Sequence, residues 1–345
     1  MRAIVYRGVN DLRLETLPIP RIDSGELLVR VAACGVCPTD IKKIHYGSVS
    51  PPRIFGHETA GTIVRAGARV KNFRIGDRVA LHHHVPCLDC HACRHRAFAQ
   101  CPTYKRTGIT AGFEPAGGGY AEYVRVLPFV LPGVVKIPRA NSFLEGAMLE
   151  PVNTVLKAVN RLRLLPGDHV WVIGQGPIGL MFTRLLKLRR VNVLASDLLG
   201  SRLKLAREFG AKWAVHARKI DADFLRRLTQ GRGIDAVVVA VPSDDAVRQA
   251  QELIRGAGQI MVFAHTRRGQ QTAIDLAAIC ADEKDLIGSY SSDFTLQKEA
   301  AQLVFSRRLD VRKLITHQFP LEQTTQAVAL AANPTERSLK IVVTQ

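Results

Sequence analysis

The segment Val170-Trp171-Val172-Ile173-Gly174-Gln175-Gly176-Pro177-Ile178-Gly179 limits what this chain can fold into more than any other. An apolar run of strand type meets three glycines spaced G-x-G-x-x-G, and an apolar-periodic stretch then continues to about Leu188. Strand, tight turn and helix in immediate succession open a βαβ unit, where Gly174, Gly176 and Gly179 let the backbone approach a pyrophosphate at the helix N-terminus. Pro177 and Ile178 fall in the first turn of that helix. Further apolar runs at Val191 to Ala195, Trp213 to His216, Ala236 to Ala240 and Gln259 to Phe263 alternate with helical segments, which predicts a parallel doubly wound sheet. Asp197 follows Gly179 by 18 residues and can accept hydrogen bonds from both hydroxyls of a ribose. A 2′-phosphate there would meet a carboxylate, so NAD is expected over NADP. Arg202, a turn further on, either softens that preference or lies on the helix surface. The other glycine run, Gly117-Gly118-Gly119, precedes a strand and reads as a turn.

A chain of 345 residues suggests two domains, and 47% hydrophobic with 23% charged residues excludes disorder. No stretch approaches the roughly 20 apolar residues of a membrane span. The N-terminal residues lack the apolar core of a secretory signal, so the expected compartment is the cytoplasm. The net charge of +18 invites a nucleic-acid reading. Its basic pairs, Lys42-Lys43, Lys105-Arg106, Arg189-Arg190, Arg226-Arg227 and Arg307-Arg308, are scattered and carry no interleaved aromatic platform. They read as a solvated basic surface. Residues 1 to about 150 hold short alternating runs between turn signals, the pattern of an all-β, barrel-like domain.

The seven cysteines are clustered, which points to metal before disulfides. Cys87, Cys90, Cys93 and Cys101 offer four thiolates within 15 residues, the donor set of a closed structural zinc site. His91, His95 and the run His82-His83-His84 read as exposed or strand-end histidines. A second constellation is dispersed: Cys37 with Thr39 and Asp40, then His57-Glu58, then Glu150-Pro151. Thiolate, imidazole and carboxylate with one position open suit a catalytic zinc. Spacing alone leaves Cys34-x2-Cys37 open as a redox pair and His57 as a satisfied core histidine.

Gly35-Val36-Cys37-Pro38-Thr39-Asp40, Gly56-His57-Glu58-Thr59-Ala60-Gly61, Gly76-Asp77-Arg78-Val79, the four-cysteine lobe, Gly119-Tyr120-Ala121-Glu122-Tyr123, Glu150-Pro151 and the glycine loop occur in one order along the chain. In that order they resemble the zinc-dependent medium-chain dehydrogenases, and most of all the polyol (sorbitol) and threonine dehydrogenase branches. The resemblance implies an α/β protein with a chaperonin-10-like (GroES-like) β-barrel catalytic domain over 1–152, carrying the structural zinc lobe at 85–103. A Rossmann doubly wound, NAD-binding domain would follow over 153–291, and 292–345 would return to complete the catalytic domain. The active-site cleft would then lie between the domains.

It further implies that Cys37 and His57 ligate a catalytic zinc, with Glu150 as third ligand, directly or through water. Glu58 would be an outer or exchanging ligand, Asp40 would orient His57 and Thr39 would take the substrate proton. Two zinc ions per chain and a homo-oligomer, dimer or tetramer, belong to the same expectation. The chain departs from the family pattern at Lys42, where many relatives place a proton-relaying imidazole, and at Lys43, where some polyol enzymes place a tyrosine. These lysines either greet an anionic substrate or are solvated at the helix start. The expected reaction is NAD-dependent oxidation of a secondary alcohol, of polyol type, to a ketone. A threonine 3-dehydrogenase-like activity, a phosphorylated polyol or a hydroxy acid are the alternatives, with non-catalytic NAD binding or nucleic-acid binding more remote.

Overall fold

The structure, a computed structural model, describes residues 1–82, 85–103, 117–264 and 269–345. His83, His84 and the Lys105-Arg106 pair lie outside the described residues. The chain forms two compact units, one of Met1–Asn153 with Ser292–Gln345 and the other of Thr154–Ser291.

In the first unit β1 (Arg2–Gly8), β2 (Asp11–Thr16) and β4 (Arg53–Ile54) form a small antiparallel sheet in the order β2-β1-β4. A larger sheet contains β3 (Leu27–Gly35), β5 (Glu58–Ala66), β6 (Arg78–Ala80), β7 (Tyr123–Val126) and β8 (Val135–Lys136). The return segment adds β15 (Ile315–Pro320) and β16 (Lys340–Thr344). The order is β15-β16-β3-β5-β6-β8, with β7 also on β3. Leu27, Val29 and Val31 of β3 are buried against Ile4, Tyr6, Phe55, Ile63 and Val79, so the alternation seen in the sequence is the inward face of this sheet. Tyr6 and Phe55 meet edge to face with centroids 5.3 Å apart.

The second unit holds β9 (His169–Ile173), β10 (Asn192–Asp197), β11 (Trp213–His216), β12 (Ile234–Val239), β13 (Ile254–Val262) and β14 (Asp285–Gly288) in the order β11-β10-β9-β12-β13-β14. Every pair is parallel, which makes the sheet doubly wound as the alternation of strand and helix predicts. β9 and β12 are central and covered on both faces, which explains their unbroken apolar runs. Trp171 is fully buried in β9, and its Nε1 donates to Ser196 Oγ at 2.9 Å. Truncating a side chain of this size in such a core costs about 3–5 kcal/mol.

β10 ends at Asp197, as expected of the strand that carries this acid. The structure corrects two other expectations. β13 begins at Ile254 instead of Gln259, because Arg255-Gly256-Ala257-Gly258 continues the strand although its glycines resemble a turn. β15 was not expected at all. Among the described residues no helix is long and apolar enough to cross a membrane.

Candidate active site and metal centres

β3 and β5 are paired so that Gly35 stands opposite Glu58, and the chain leaves β3 for Cys37 while it enters β5 through His57. Cys37 caps the helix Pro38–Tyr46, whose fixed start at Pro38 sends Thr39 and Asp40 into the first turn. The result is a cluster in which the ligand atoms of Cys37, His57 and Glu58 all lie within 4.8 Å of one another. His57 is 5% exposed and Glu58 1%. Asp40 is completely buried, with Oδ2 at 3.1 Å from His57 Nδ1. That contact fixes the ring and leaves Nε2 as the nitrogen available to a metal.

Burial opposes ionisation of Asp40, but the charge of His57 beside it holds its carboxyl below the usual range. Burial likewise opposes charge on His57, yet Asp40 and Cys37 together hold the imidazole well above its ordinary pKa. A half-buried thiol converging with a buried imidazole and a buried carboxyl is the donor set of a zinc site, so the residues present fit that ion.

Glu150 is not in this cluster. It is buried near the start of the helix Leu149–Val159, and its charge acts on the Lys340 ammonium. Thr39 is half-buried. Lys42, one turn further along, is half-buried too, and burial lowers its pKa. Lys340 is the residue that sequence reasoning missed. It opens β16, is 5% exposed, and its Nζ donates to Glu58 Oε1 at 2.6 Å and to the Val36 carbonyl at 3.0 Å. Burial works against its charge, but Glu58 and then Cys37 keep its pKa above the ordinary lysine value.

The second constellation is a compact lobe. Sγ of Cys90 lies 3.5 Å from that of Cys93, and Sγ of Cys87 lies 3.9 Å from Cys93. A disulfide needs about 2.05 Å, whereas four sulfurs about 2.3 Å from a central ion sit roughly 3.8 Å apart along a tetrahedron's edges. The donor set fits zinc. The N–H groups of Cys87 and Cys90 donate to Cys101 Sγ and Cys87 Sγ, both at 3.4 Å. Backbone N–H groups of Asp89 and Cys90 hold the Cys87 thiol below its usual pKa, while burial pushes Cys93 up to about 12. His91 and His95 meet with ring centroids 4.5 Å apart and planes tilted by 57°, exposed and outside the four-sulfur group. His82 is buried instead of exposed, with Nδ1 3.0 Å from Gln297 Oε1. A strand-end histidine tied to the return segment is thus the reading for His82.

In the second unit Gly174 has φ +89°, and a Cβ on Gly179 would stand 1.8 Å from the Gly174 carbonyl oxygen. Only glycine permits this close turn. Gly176 caps the helix Pro177–Leu188, with Pro177 at its first position and Ile178 half-buried beside it. Asp197 Oδ2 accepts from the Gln175 N–H at 2.7 Å and Oδ1 from the Leu199 N–H at 2.9 Å, so the acid at the end of β10 is tied to the glycine loop. Arg202 Nη1 lies 3.8 Å from Asp197 Oδ2, so Arg202 faces the carboxylate instead of solvent.

Residues 23–139 match the alcohol dehydrogenase GroES-like domain, and residues 177–306 match the zinc-binding dehydrogenase family. The chain belongs to the zinc-dependent medium-chain dehydrogenases. As a member it is an enzyme, an oxidoreductase of the alcohol dehydrogenase type. This dehydrogenase is 29% identical over 350 aligned residues to the sorbitol dehydrogenase of Bacillus subtilis strain 168, covering 99% of this chain and 97% of that one. A protein of Sinorhizobium meliloti 1021 described as a zinc-binding dehydrogenase, solved with NADP, superposes with a TM-score of 0.89 at 26% identity, over 100% of this chain and 99% of that one. An alcohol dehydrogenase of Escherichia coli CFT073 complexed with NADH superposes at 0.88 and 25% identity, with the same coverage.

Proposed function

We propose that this dehydrogenase oxidises a secondary alcohol of the polyol class to a ketone, with hydride transfer to NAD. The observation that carries the reading is the convergence of half-buried Cys37 with buried His57 and Glu58, the imidazole anchored by Asp40. A sorbitol dehydrogenase aligned over nearly the full chain supports the substrate class. When bound, zinc supplies the Lewis acidity that makes an alcohol proton easy to lose, and the dinucleotide supplies the hydride acceptor. Cys37 and His57 would hold the metal, joined by Glu58 or Glu150, and Cys87, Cys90, Cys93 and Cys101 would hold the structural ion. Asp40 keeps the His57 ring in one tautomer. Thr39, two residues from Cys37, would accept a hydrogen bond from the substrate hydroxyl and hand its own hydroxyl proton on to solvent as the substrate proton arrives. Gly174, Gly176, Pro177, Ile178 and Gly179 cradle the pyrophosphate, and Asp197 and Arg202 meet the adenosine ribose. The same reading makes the enzyme a cytoplasmic homo-oligomer, in keeping with seven cysteines none of which forms a disulfide and with β14 at the outer edge of its sheet.

A panel of polyols, phosphorylated polyols, simple alcohols and L-threonine, assayed with NAD and NADP on metal-replete protein, tests the proposal. The expected result is turnover of an unphosphorylated polyol with NAD. Turnover of threonine alone, or of phosphorylated compounds alone, would overturn the substrate class.

Asp197 provides a sharper check on the cofactor. Asp197→Ala removes the carboxylate that excludes a 2′-phosphate, so the ratio of kcat/KM for NAD over NADP should fall at least about tenfold, ~1.4 kcal/mol. Because the change also strips an acceptor from the Gln175 N–H, Asp197→Asn is measured beside it. An unchanged ratio in both variants would refute the role given to Asp197.

A further inference from the structure

Lys340 is a charged side chain at the Cys37–His57–Glu58 cluster that the proposed reaction leaves unused. Its ammonium is buried and spends its hydrogen bonds on the Val36 carbonyl and on Glu58, with both carboxylate oxygens facing it. The charges of Cys37 and Glu150 act on it as well. The backbone is shaped around the pair. A Cβ on Gly35 would stand 1.9 Å from Glu58 Oε2 and 2.9 Å from Lys340 Cε, so only glycine opposite Glu58 lets acid and lysine meet. Placing a lysine inside a core is costly unless it is paired, and here it is paired with a group that belongs to the cluster itself. The pair also joins two distant parts of the chain, 282 residues apart, at the mouth of β5 and the first residue of β16.

We infer that Lys340 is a positioning residue for the metal centre, which clamps Glu58 and offsets its charge so that this carboxylate remains a weak, exchangeable donor. The inference rests on the zinc reading of the cluster. A thiolate and an unopposed carboxylate beside an imidazole would neutralise a dication, and Glu58 bound together with Glu150 would fill its fourth position. With the ammonium fixed against Glu58 the centre keeps net positive character, and one position stays open for the substrate oxygen. The glycine at 35 and the lysine at 340 are the two features of this chain that make the arrangement possible.

The test is metal binding rather than turnover, made on the full chain with one zinc retained in the four-cysteine lobe and the second equivalent titrated against a chromogenic chelator. Cobalt(II) at the same site gives the spectroscopic readout. Lys340→Met should bind the second zinc at least tenfold more tightly and change the cobalt visible spectrum, because Glu58 is released to coordinate. Lys340→Arg should stay within threefold of the parent with an unchanged spectrum. Adding Glu58→Gln to Lys340→Met removes both buried charges, which favours folding, and should abolish the gain. Should Lys340→Met itself fail to fold, Lys340→Gln keeps an amide donor without the charge and carries the same expectation. Unchanged affinity and spectrum in a folded Lys340→Met or Lys340→Gln protein, or a gain that survives Glu58→Gln, overturns the clamp. A parent protein whose second zinc is insensitive to Cys37→Ser overturns the zinc reading instead, so the two failures are distinguishable.

Discussion

Replacing Cys37 with serine lowers kcat/KM for the alcohol by at least about 10³-fold, ~4 kcal/mol, while NAD affinity stays within about twofold. The thiol is the softest donor of the cluster and carries a full negative charge when it binds metal, whereas a serine hydroxyl at that place stays protonated and is a poor ligand. His57 and Glu58 alone would hold the ion loosely, so zinc at this centre should be lost on dialysis. The dinucleotide loop is insulated from the change, because Gly174 to Gly179 and Asp197 belong to a unit with its own core around Trp171, Val237 and Ile260. Zinc analysis, steady-state kinetics and a fluorescence titration with NADH on one preparation measure all three quantities. Full activity in the variant would contradict the assignment of Cys37, and loss of dinucleotide binding would show that the lesion is global.

Cys93→Ser should produce the second large effect, at a site without a role in the chemistry. The lobe's own core comprises Cys93, Phe98, Ala99 and Cys101, with Cys90 and Phe294 packed at its margin. Phe98 meets Phe294 edge to face at 5.4 Å, which is the lobe's apolar attachment to the return segment. So small a cluster cannot order this loop, and coordination has to supply the stability that packing lacks. Structural zinc contributes about 10–16 kcal/mol to peptides that fold around it, and losing even 3 kcal/mol of local stability raises the opening equilibrium of the lobe ~10²-fold. Metal content should fall from two ions per chain to one, and amides of residues 87–101 should exchange at least about 100-fold faster. Two ions retained with unchanged exchange would show that the lobe is held in another way.

How much of this was legible beforehand depends on whether the signal was local. The glycine loop and the four-cysteine lobe are written in short spacings, the doubly wound order follows from the alternation of apolar strands and helices, and the approach of Cys37 and His57 was legible only through the family resemblance. The six residues of β15, Ile315–Pro320, escaped notice because alternate residues are half-exposed and a proline ends the run, so no continuous apolar segment marks it. The early start of β13 was hidden by Gly256 and Gly258, which by local rules signal a turn but here continue a strand. Lys340 was invisible for a different reason. A lysine at the head of an apolar strand reads as an edge residue in water, and nothing within ten positions says that its partner is Glu58. Only tertiary pairing of β16 with β3 brings it inside. The same limit applies to the choice between Glu58 and Glu150 as third donor, since the acids lie 92 residues apart in the sequence and their distances to Cys37 follow from the fold.

The position of β16 between β15 and β3 has a consequence for biosynthesis. Residues 154–291 form a continuous stretch that can collapse as it leaves the ribosome, but in the other unit Ala33–Gly35 at the end of β3 lack their β16 partner until residues 342–344 have been made. For that interval a nascent chain displays a short unpaired hydrogen-bonding edge at Ala33–Gly35, beside Cys37, of the kind through which chains pair with one another. Pairing along Ala33–Gly35 is consequently a late event, coming after translation has delivered residues 342–344.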